Sequence, residues 1–209
     1  MKKEKKIGKP KNLKEFSKYE KIYNKEDIVL FNSYQLKSED KEEREKGIMS
    51  NLYSGLDIPY STCHFNSAEQ LLFFINFVKW GEKVENVPSL VSRISFLMNL
   101  KNGQQVKCNP RTHWFLSKIE GWTKKNLGLE QAYFDDWKNL YFIIKMKYKY
   151  CEEFRKVLEK YKDKIYCEDS FWGDNFNGVV WDETIQKYRG VNALGRVMKR
   201  VYLEENNLI

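Results

Sequence analysis

The chain has 209 residues, of which 42% are hydrophobic and 15% aromatic, and its formal net charge is +8. This composition is typical of a globular protein with a packed core, and it argues against an intrinsically disordered chain. The longest apolar runs are too short to cross a bilayer, and no apolar run follows the basic start as it would in a secretory signal. We therefore predict a cytoplasmic protein that does not bind a membrane.

The positive charge favours anionic partners, either nucleic acid or substrates that carry phosphates. The alternative is that a chain rich in lysine, asparagine and isoleucine reflects an AT-rich genome. The four cysteines are widely spaced, and we interpret them as reduced thiols. Since His64 and His113 are the only histidines and form no ligand cluster with the cysteines, we expect no metal site and no other cofactor.

The first predicted elements follow a basic segment. Residues 1–25 are rich in lysine and poorly patterned, so we predict a flexible basic arm there and one domain over residues 26–209. The apolar run Ile28–Phe31 predicts a first strand. After a charged insert, Ser67 is expected to cap a helix that runs to residue 80, with Gln70 completing a capping box. The predicted buried stripe of this helix is Ala68, Leu71, Leu72, Ile75 and Val78.

The rest of the chain is predicted to be mainly helical. A helix is expected over about 88–99, and the turn residues at 101–104 indicate a small hairpin. A long helix follows over 130–149, with a shorter one after it, and a strand at 165–167. The last helix begins at Asn192 and is expected to bury Leu194, Val197, Met198, Val201 and Tyr202. These elements predict an α+β fold, a predominantly helical single domain with a few short strands.

Glu69 is the first candidate for chemistry. It lies in the first turn of the helix capped by Ser67, on the face where Phe73 and Asn76 follow at helical spacing. An acid in a first turn is ordinary, because it complements the helix dipole. The polar and aromatic neighbours favour a second interpretation, in which this face lines a pocket.

Two tryptophans and an aspartate are further candidates. Trp137 and Trp172 are suited to gripping a planar base, although a tryptophan is also a common, partly buried core residue. Gly173 and Asp174 follow Trp172 directly and open the loop. Asp174 could take part in the chemistry or only brace its own turn through the backbone.

Asn192 marks a candidate phosphate site. It precedes a basic helix, so backbone amides at the helix start would be free to bind phosphate, with Arg196 nearby. Ordinary helix capping by Asn192 and a solvated Arg196 are the alternatives. The serines, cysteines and histidines form no recognisable nucleophilic triad.

Five short motifs occur in a fixed order along the chain. They are Ser-Asn-Leu-Tyr at 50–53, Ser-Ala-Glu-Gln at 67–70, Trp137, Trp-Gly-Asp at 172–174, and Gly-Val-Asn-Ala-Leu-Gly-Arg-Val-Met at 190–198. The ordered set resembles the NADAR, or YbiA-like, family over about residues 28–203. The resemblance implies a mostly helical α+β fold. It also implies an N-glycosidase that cuts between ribose C1 and a nitrogen of a guanine-like base.

The resemblance also implies roles for individual residues. Glu69 matches the family's catalytic glutamate, and Trp137, Trp172 and Asp174 match positions that contact the substrate. The leaving nitrogen needs a proton, and we predict Asp174 as its donor, which requires a raised pKa. Where the family usually has a lysine, two helical turns after the glutamate, this chain has Asn76. The full set of predicted substrate-binding residues is Asn51, Asn76, Trp137, Trp172, Gly173, Asn192 and Arg196.

The predicted function is hydrolysis of the ribose–nitrogen bond in an ADP-ribose-type adduct, with ADP-ribosylated guanine, free or in nucleic acid, as the substrate. One alternative is an N-glycosidase of phosphoribosylated intermediates of riboflavin synthesis. Another is a catalytically silent module that binds ADP-ribose-like nucleotides, which the asparagine at position 76 motivates. Two enzymatic mechanisms are compatible with the asparagine at position 76. A distant lysine could replace the family's lysine, or water could attack the sugar directly.

Overall fold

The computed structural model describes residues 19–170, 173–174 and 176–209, with the backbone alone at 129 and 130. The strands are β1 (Lys21–Tyr23), β2 (Ile28–Phe31), β3 (Ser54–Tyr60), β4 (Cys63–Ser67), β5 (Ile165–Glu168), β6 (Val180–Asp182) and β7 (Lys187–Gly190). The helices are α1 (Lys41–Gly47), α2 (Ala68–Trp80), α3 (Leu90–Met98), α4 (Gly103–Cys108), α5 (Pro110–Leu127), α6 (Leu129–Tyr150), α7 (Glu152–Lys160) and α8 (Ala193–Glu205).

Helices dominate this mixed structure, which confirms the predicted class of several helices with a few short strands. Within the described residues, no helix combines the length and the apolar character that crossing a bilayer requires. The chain forms two compact units, one from residues up to Ser50 together with Lys156–Ile209, and the other from Asn51–Arg155.

The first unit contains two small sheets and α8. Strands β1, β7 and β6 form an antiparallel sheet in that order, and β2 pairs in parallel with β5. Helix α8 packs against β5 at Gly195, where a Cβ atom would overlap the carbonyl oxygen of Tyr166. The predicted apolar face of α8 is buried. The strands predicted at Ile28–Phe31 and at 165–167 are present as β2 and β5, with Ile165 40% exposed at the start of β5.

The basic arm ends earlier than predicted. Lys21 pairs with Gly190 in the β1–β7 ladder, and the guanidinium of Arg189 donates two hydrogen bonds, of 3.0 and 2.9 Å, to the Glu20 carboxylate. Residues 19–25 therefore belong to the fold, because Lys21–Tyr23 form a strand of a sheet and Glu20 is bound to Arg189, and the prediction of an arm was wrong for them. The remainder of the predicted arm lies outside the described residues.

The second unit begins with the antiparallel β3–β4 hairpin and continues through α2 to α6. The predicted hairpin at 101–104 is wrong, because Asn102 caps α4 and its Oδ1 accepts from the amide of Gln105 at 2.8 Å. Helix α5 was not predicted at all. Its buried face mixes Phe115 and Ile119 with two threonines, so it lacks a continuous apolar stripe.

The orientation of α2 also differs from the prediction. The expected buried stripe is confirmed at Ala68 and Leu71, which are fully buried. It fails at Leu72 and Ile75, which are half-buried, and at Val78, which is 45% exposed. The interior instead receives the face rich in phenylalanine, because aromatic rings carry more apolar area than branched aliphatic side chains and pack edge to face. The residues of this buried face are Glu69, Gln70, Phe73, Phe74, Asn76, Phe77 and Trp80.

Two glycine substitutions test the close packing of α8 on β5. Gly195→Ala should lower the free energy of unfolding by roughly 1–3 kcal/mol, because the new methyl group meets the Tyr166 carbonyl. Gly121→Ala is the matched control in α5, where a Cβ meets nothing within 4 Å, and it should stabilise the protein by roughly 0.5–1 kcal/mol. Urea unfolding followed by circular dichroism measures both. Equal effects of the two substitutions would contradict this packing.

Candidate functional site

The first turn of α2 is bound by β4, by the end of α3 and by the segment before β3. The Oγ of Ser67 accepts the amide of Gln70 at 3.2 Å, so the predicted cap is confirmed. The reciprocal half of the capping box differs, since Oε1 of Gln70 accepts from the amide of Asn66 at 3.0 Å. Nε2 of Gln70 donates to the carbonyl of Leu97 at 3.0 Å, which connects α2 to the end of α3.

Glu69 lies in this fixed turn and is 6% exposed. Its amide donates to the carbonyl of Asn51 at 3.0 Å, and its Oε1 is 3.8 Å from Nζ of Lys107. The Lys107 side chain is 53% exposed, so the ion pair joins a buried carboxylate to a cation at the surface. Such a pair can accept a proton at one group and donate one from the other.

The position of Lys107 follows from the way α4 begins. The amide of Gly103 donates to Oγ of Ser54 at 2.8 Å. A Cβ at position 103 would lie 2.8 Å from both Cα and the carbonyl oxygen of Leu52, so only glycine permits this approach. Lys107 lies one turn later in the same helix, which places its Nζ next to Glu69. The sequence analysis missed Lys107, and the Asn102-Gly103 helix start was the available signal for α4.

Two asparagines belong to the same unit. The Oδ1 atom of Asn51 is buried and accepts no hydrogen bond from any residue that the structure describes. Asn51 therefore carries an unsatisfied side-chain acceptor, while its backbone carbonyl accepts the hydrogen bond from the Glu69 amide. Asn76 is buried two turns after Glu69, and its Nδ2 donates to the carbonyl of Leu72 within the same helix.

Lys79 pairs with an acidic side chain of α6. Nζ of Lys79 is 3.5 Å from Oδ1 of Asp135 on α6. Trp137 is half-buried and comes two residues after Asp135, which puts it on a different side of α6 from that carboxylate. Its predicted contact with a substrate base stays a prediction.

Lys147 is a second lysine that the sequence analysis missed. It is fully buried on α6, with Nζ 4.5 Å from the ring centre of Phe154 and 5.7 Å from that of Tyr53. Loss of hydration lowers the pKa of Lys147 to about 7, although the nearby Cys151 acts in the opposite direction. The sequence feature that could have predicted its burial was its position four residues after Ile143, on the buried side of the helix.

The loop motif of the first unit contains Gly173 and Asp174. The φ angle of Gly173 is 93°, a value that favours glycine. Oδ1 of Asp174 accepts from the amides of Phe176 and Asn177, each at 3.2 Å, and Oδ2 accepts from Nδ2 of Asn177 at 3.1 Å. These contacts favour the interpretation that Asp174 braces its own turn. Trp172 lies outside the described residues.

Asn192 does not cap α8 with its side chain. Its backbone is left-handed, with φ 54° and ψ 45°, and its Nδ2 donates to the carbonyl of Tyr166 at 2.8 Å and to Sγ of Cys167 at 3.2 Å. The residue is fully buried and fastens the helix start to β5. The capping expectation is therefore wrong, because the side chain bonds to the sheet.

The amides at the start of α8 are also engaged. Those of Ala193 and Leu194 donate to the carbonyls of Phe176 and Asn177, at 2.8 and 3.1 Å. The predicted phosphate site of free amides is wrong for these two groups, because the loop already satisfies them. Arg196 is half-buried, with Nη1 3.5 Å from the carbonyl of Val191.

Among the described residues, no three His, Cys, Asp or Glu side chains are grouped as a metal site would require. Burial raises the pKa of the Cys167 thiol to about 12, so this thiol is a poor nucleophile. Comparisons with protein-family models, with curated proteins and with solved structures found no match to this chain.

Replacement of Lys147 tests its burial. The pKa of this lysine is lower in the folded protein than its ordinary 10.5, so burial of the ammonium costs stability fully below pH 7 and less and less as the pH rises to 10.5. Lys147→Met should raise the free energy of unfolding at pH 6 by roughly 1–3 kcal/mol, and the gain should shrink towards pH 10. Urea unfolding at pH 6, 8 and 10 measures this.

The matched control is Lys149→Met, which removes an exposed lysine from the same helix. It should leave stability within about 0.5 kcal/mol of the parent at each pH. A Lys147→Met gain that does not depend on pH would show that the ammonium is not desolvated in the folded protein.

Proposed function

We propose that this protein is an N-glycosidase that hydrolyses the ribose–nitrogen bond of an ADP-ribose-type nucleotide adduct. The observation that carries the proposal is the pair formed by the buried Glu69 carboxylate and Lys107, 3.8 Å apart. The ordered motifs that resemble the NADAR family support it, because Glu69 stands at the position of that family's glutamate. The YbiA-like character of the fold is part of the same proposal.

Cleavage of the bond between ribose C1 and the base nitrogen develops positive charge on the sugar. The carboxylate of Glu69 would stabilise that charge and would take a proton from the water that attacks C1. The ammonium of Lys107 would donate its proton to the departing nitrogen. The C1–N bond breaks, a C1–O bond forms, and the base leaves with the proton from Lys107.

The proximity of the two groups lets the pair return to its starting state. After turnover, Glu69 holds the proton from water and Lys107 lacks one, and transfer across the 3.8 Å separation restores both. In this mechanism water, and not an amine, forms the new bond to C1. The mechanism therefore does not require a lysine amine at the position of Asn76. It also does not use Asp174 as a proton donor, because the oxygens of Asp174 accept three hydrogen bonds in its own turn.

Asn51 completes the proposed sugar site. Its buried and unpartnered Oδ1 is a neutral acceptor within the segment that holds the Glu69 amide. A ribose hydroxyl would satisfy this acceptor, which otherwise costs free energy in the absence of ligand. The rival function, a silent nucleotide-binding module, is favoured by the low exposure of Glu69, which leaves little of the carboxylate open to water.

Glu69→Gln tests the catalytic carboxylate. The substitution keeps the size of the side chain but removes the charge, so kcat should fall by roughly 10²–10³-fold with little change in substrate affinity. The assay follows release of ADP-ribose from ADP-ribosylated guanosine and from ADP-ribosylated guanine in an oligonucleotide. Glu85→Gln, an exposed glutamate of the same unit, is the control and should leave kcat unchanged.

The substrate panel includes a phosphoribosylated pyrimidine of the riboflavin pathway. Turnover of that compound alone would replace the ADP-ribose proposal with the alternative glycosidase. Binding of ADP-ribose without turnover of any compound would support the silent module. Full activity of Glu69→Gln on a confirmed substrate would remove Glu69 from the mechanism.

Lys107 variants separate its charge from its proton. Lys107→Arg keeps a cation beside Glu69 but cannot readily give up a proton, and Lys107→Met removes both properties. We expect both variants to lose roughly 10²-fold or more in kcat, whereas Lys101→Met, a nearby exposed control, should keep it. Borohydride should trap no adduct on the parent protein during turnover. A trapped adduct mapped to Lys107 or Lys147 would show that an amine attacks C1.

A further inference from the structure

Helix α5 presents a row of aromatic and basic side chains that the glycosidase proposal does not use. Arg111, Trp114, Lys118, Trp122 and Lys125 follow one another at spacings of three or four residues. At 3.6 residues per turn, these five side chains fall within an arc of about 80°, beside the buried face of α5. We refer to these five residues as the aromatic–basic stripe.

The tryptophans of the stripe are accompanied by ammonium groups. Trp114 is 42% exposed, and Nζ of Lys118 is 5.9 Å from its ring centre. The ring of Trp122 packs on Trp80 with centres 5.8 Å apart, and Nζ of Lys83 is 5.6 Å from the Trp122 ring. Because each ammonium lies over its indole ring, an aromatic surface and a phosphate contact occur in one place, and the exposed part of the Trp114 ring offers the stacking surface.

A cavity of about 580 Å³ lies at the N-terminal end of the stripe. Arg111 and Trp114 line it together with Phe96 and Ser92, and the guanidinium of Arg111 is 4.8 Å from the ring centre of Phe96. Its volume is within the usual range for small-molecule sites, roughly 300–1,000 Å³, which is sufficient for a nucleoside. Aromatic walls and a guanidinium suit a planar base next to an anionic group.

A buried cation stands behind one wall of this cavity. Arg93 is 2% exposed, and its Nη1 donates to the carbonyl of Pro88, which lines the cavity, at 2.5 Å. Its Nε and Nη2 are buried and donate to no residue in the described part of the chain. The guanidinium therefore adds positive potential next to the cavity.

The charge around the stripe is mainly positive. Glu120 projects from the opposite side of α5 to Arg111, and Oε2 of Glu120 is 3.9 Å from Nζ of Lys124. Glu82 and Glu85, in the segment before α3, are the exposed acids that flank Lys83. The five-residue stripe itself combines three cations with two indoles and no carboxylate.

We propose that the aromatic–basic stripe binds single-stranded nucleic acid, with a base in the adjoining cavity, a second base on Trp114 and phosphates on Arg111, Lys118 and Lys125. An acidic peptide needs only the cations, and a duplex does not offer unstacked bases to an indole. The stripe is about 21 Å long at 1.5 Å per residue, enough for a few nucleotides. This proposal does not depend on the glycosidase activity.

Binding of a fluorescein-labelled oligothymidine of about 12 nucleotides to the full chain tests the proposal by anisotropy. Trp114→Ala should weaken binding roughly tenfold, and Trp114→Phe should restore most of it, because phenylalanine still stacks. The melting temperature of each variant reports on folding. Unchanged affinity of a folded Trp114→Ala variant would overturn the proposal.

The phosphate contacts are tested by salt dependence. The triple variant Arg111→Gln, Lys118→Gln and Lys125→Gln should lower the slope of log Kd against log salt by about 2, at about 0.7 for each lost phosphate contact with a single strand. The control triple variant, Lys138→Gln, Lys145→Gln and Lys149→Gln, changes three exposed lysines of α6 and makes the same change in net charge. Equal loss of slope in both variants would mean attraction by overall charge alone, and the proposal would be wrong.

Three competitors at equal charge concentration distinguish other partners. They are a duplex of the same length, polyglutamate, and vesicles of phosphatidylserine and phosphatidylcholine. We expect an unlabelled single strand to displace the probe better than any of these. Stronger displacement by polyglutamate or by the vesicles would replace the proposal with an acidic-protein or membrane surface.

Discussion

The hydrogen bond from the Glu69 amide to the Asn51 carbonyl joins the start of α2 to the segment that leads into β3. The first amides of a helix need acceptors from outside the helix, and this carbonyl supplies one of them. The same segment receives α4, because Gly103 allows the helix to approach the backbone of Leu52. The separation of Glu69 and Lys107 therefore depends on the close approach of Gly103 to Leu52 and on the hydrogen bond from the Gly103 amide to Oγ of Ser54. Substitutions at Gly103 or Ser54 should therefore disturb the site without changing either charged group.

Part of the fold was predictable because some elements have patterns that only one arrangement satisfies. The apolar run of β2 and the helical periodicity of α8 are of this kind, and both elements lie where we predicted them. Helix α2 has two apolar faces, and the choice between them depended on neighbours such as Phe65 and Phe115, whose ring centres are 4.9 Å from Phe74 and 5.6 Å from Phe77. Such a choice is made by tertiary packing, which periodicity does not contain.

The candidate site was predictable only where local sequence determines the geometry. The first-turn position of Glu69 follows from the Ser67 cap, whereas its pairing with Lys107 requires the approach of α4. Asn192 shows a different limit, because asparagine is favoured both at helix caps and in the left-handed conformation. The sequence is compatible with both, and the hydrogen bond to the Tyr166 carbonyl decides between them.

The parallel pairing of β2 with β5 has a consequence for the order of folding on the ribosome. Ile28 of β2 pairs with Ile165 of β5, and β1 pairs with β7. Because β5 and β7 lie after Asn51–Arg155 in the chain, that whole segment is synthesised before either N-terminal strand can pair. Contacts of such high sequence separation form slowly, and unpaired strand edges favour aggregation during the delay. Nascent chains that are stopped before residue 165 should therefore engage chaperones through their N-terminal strands.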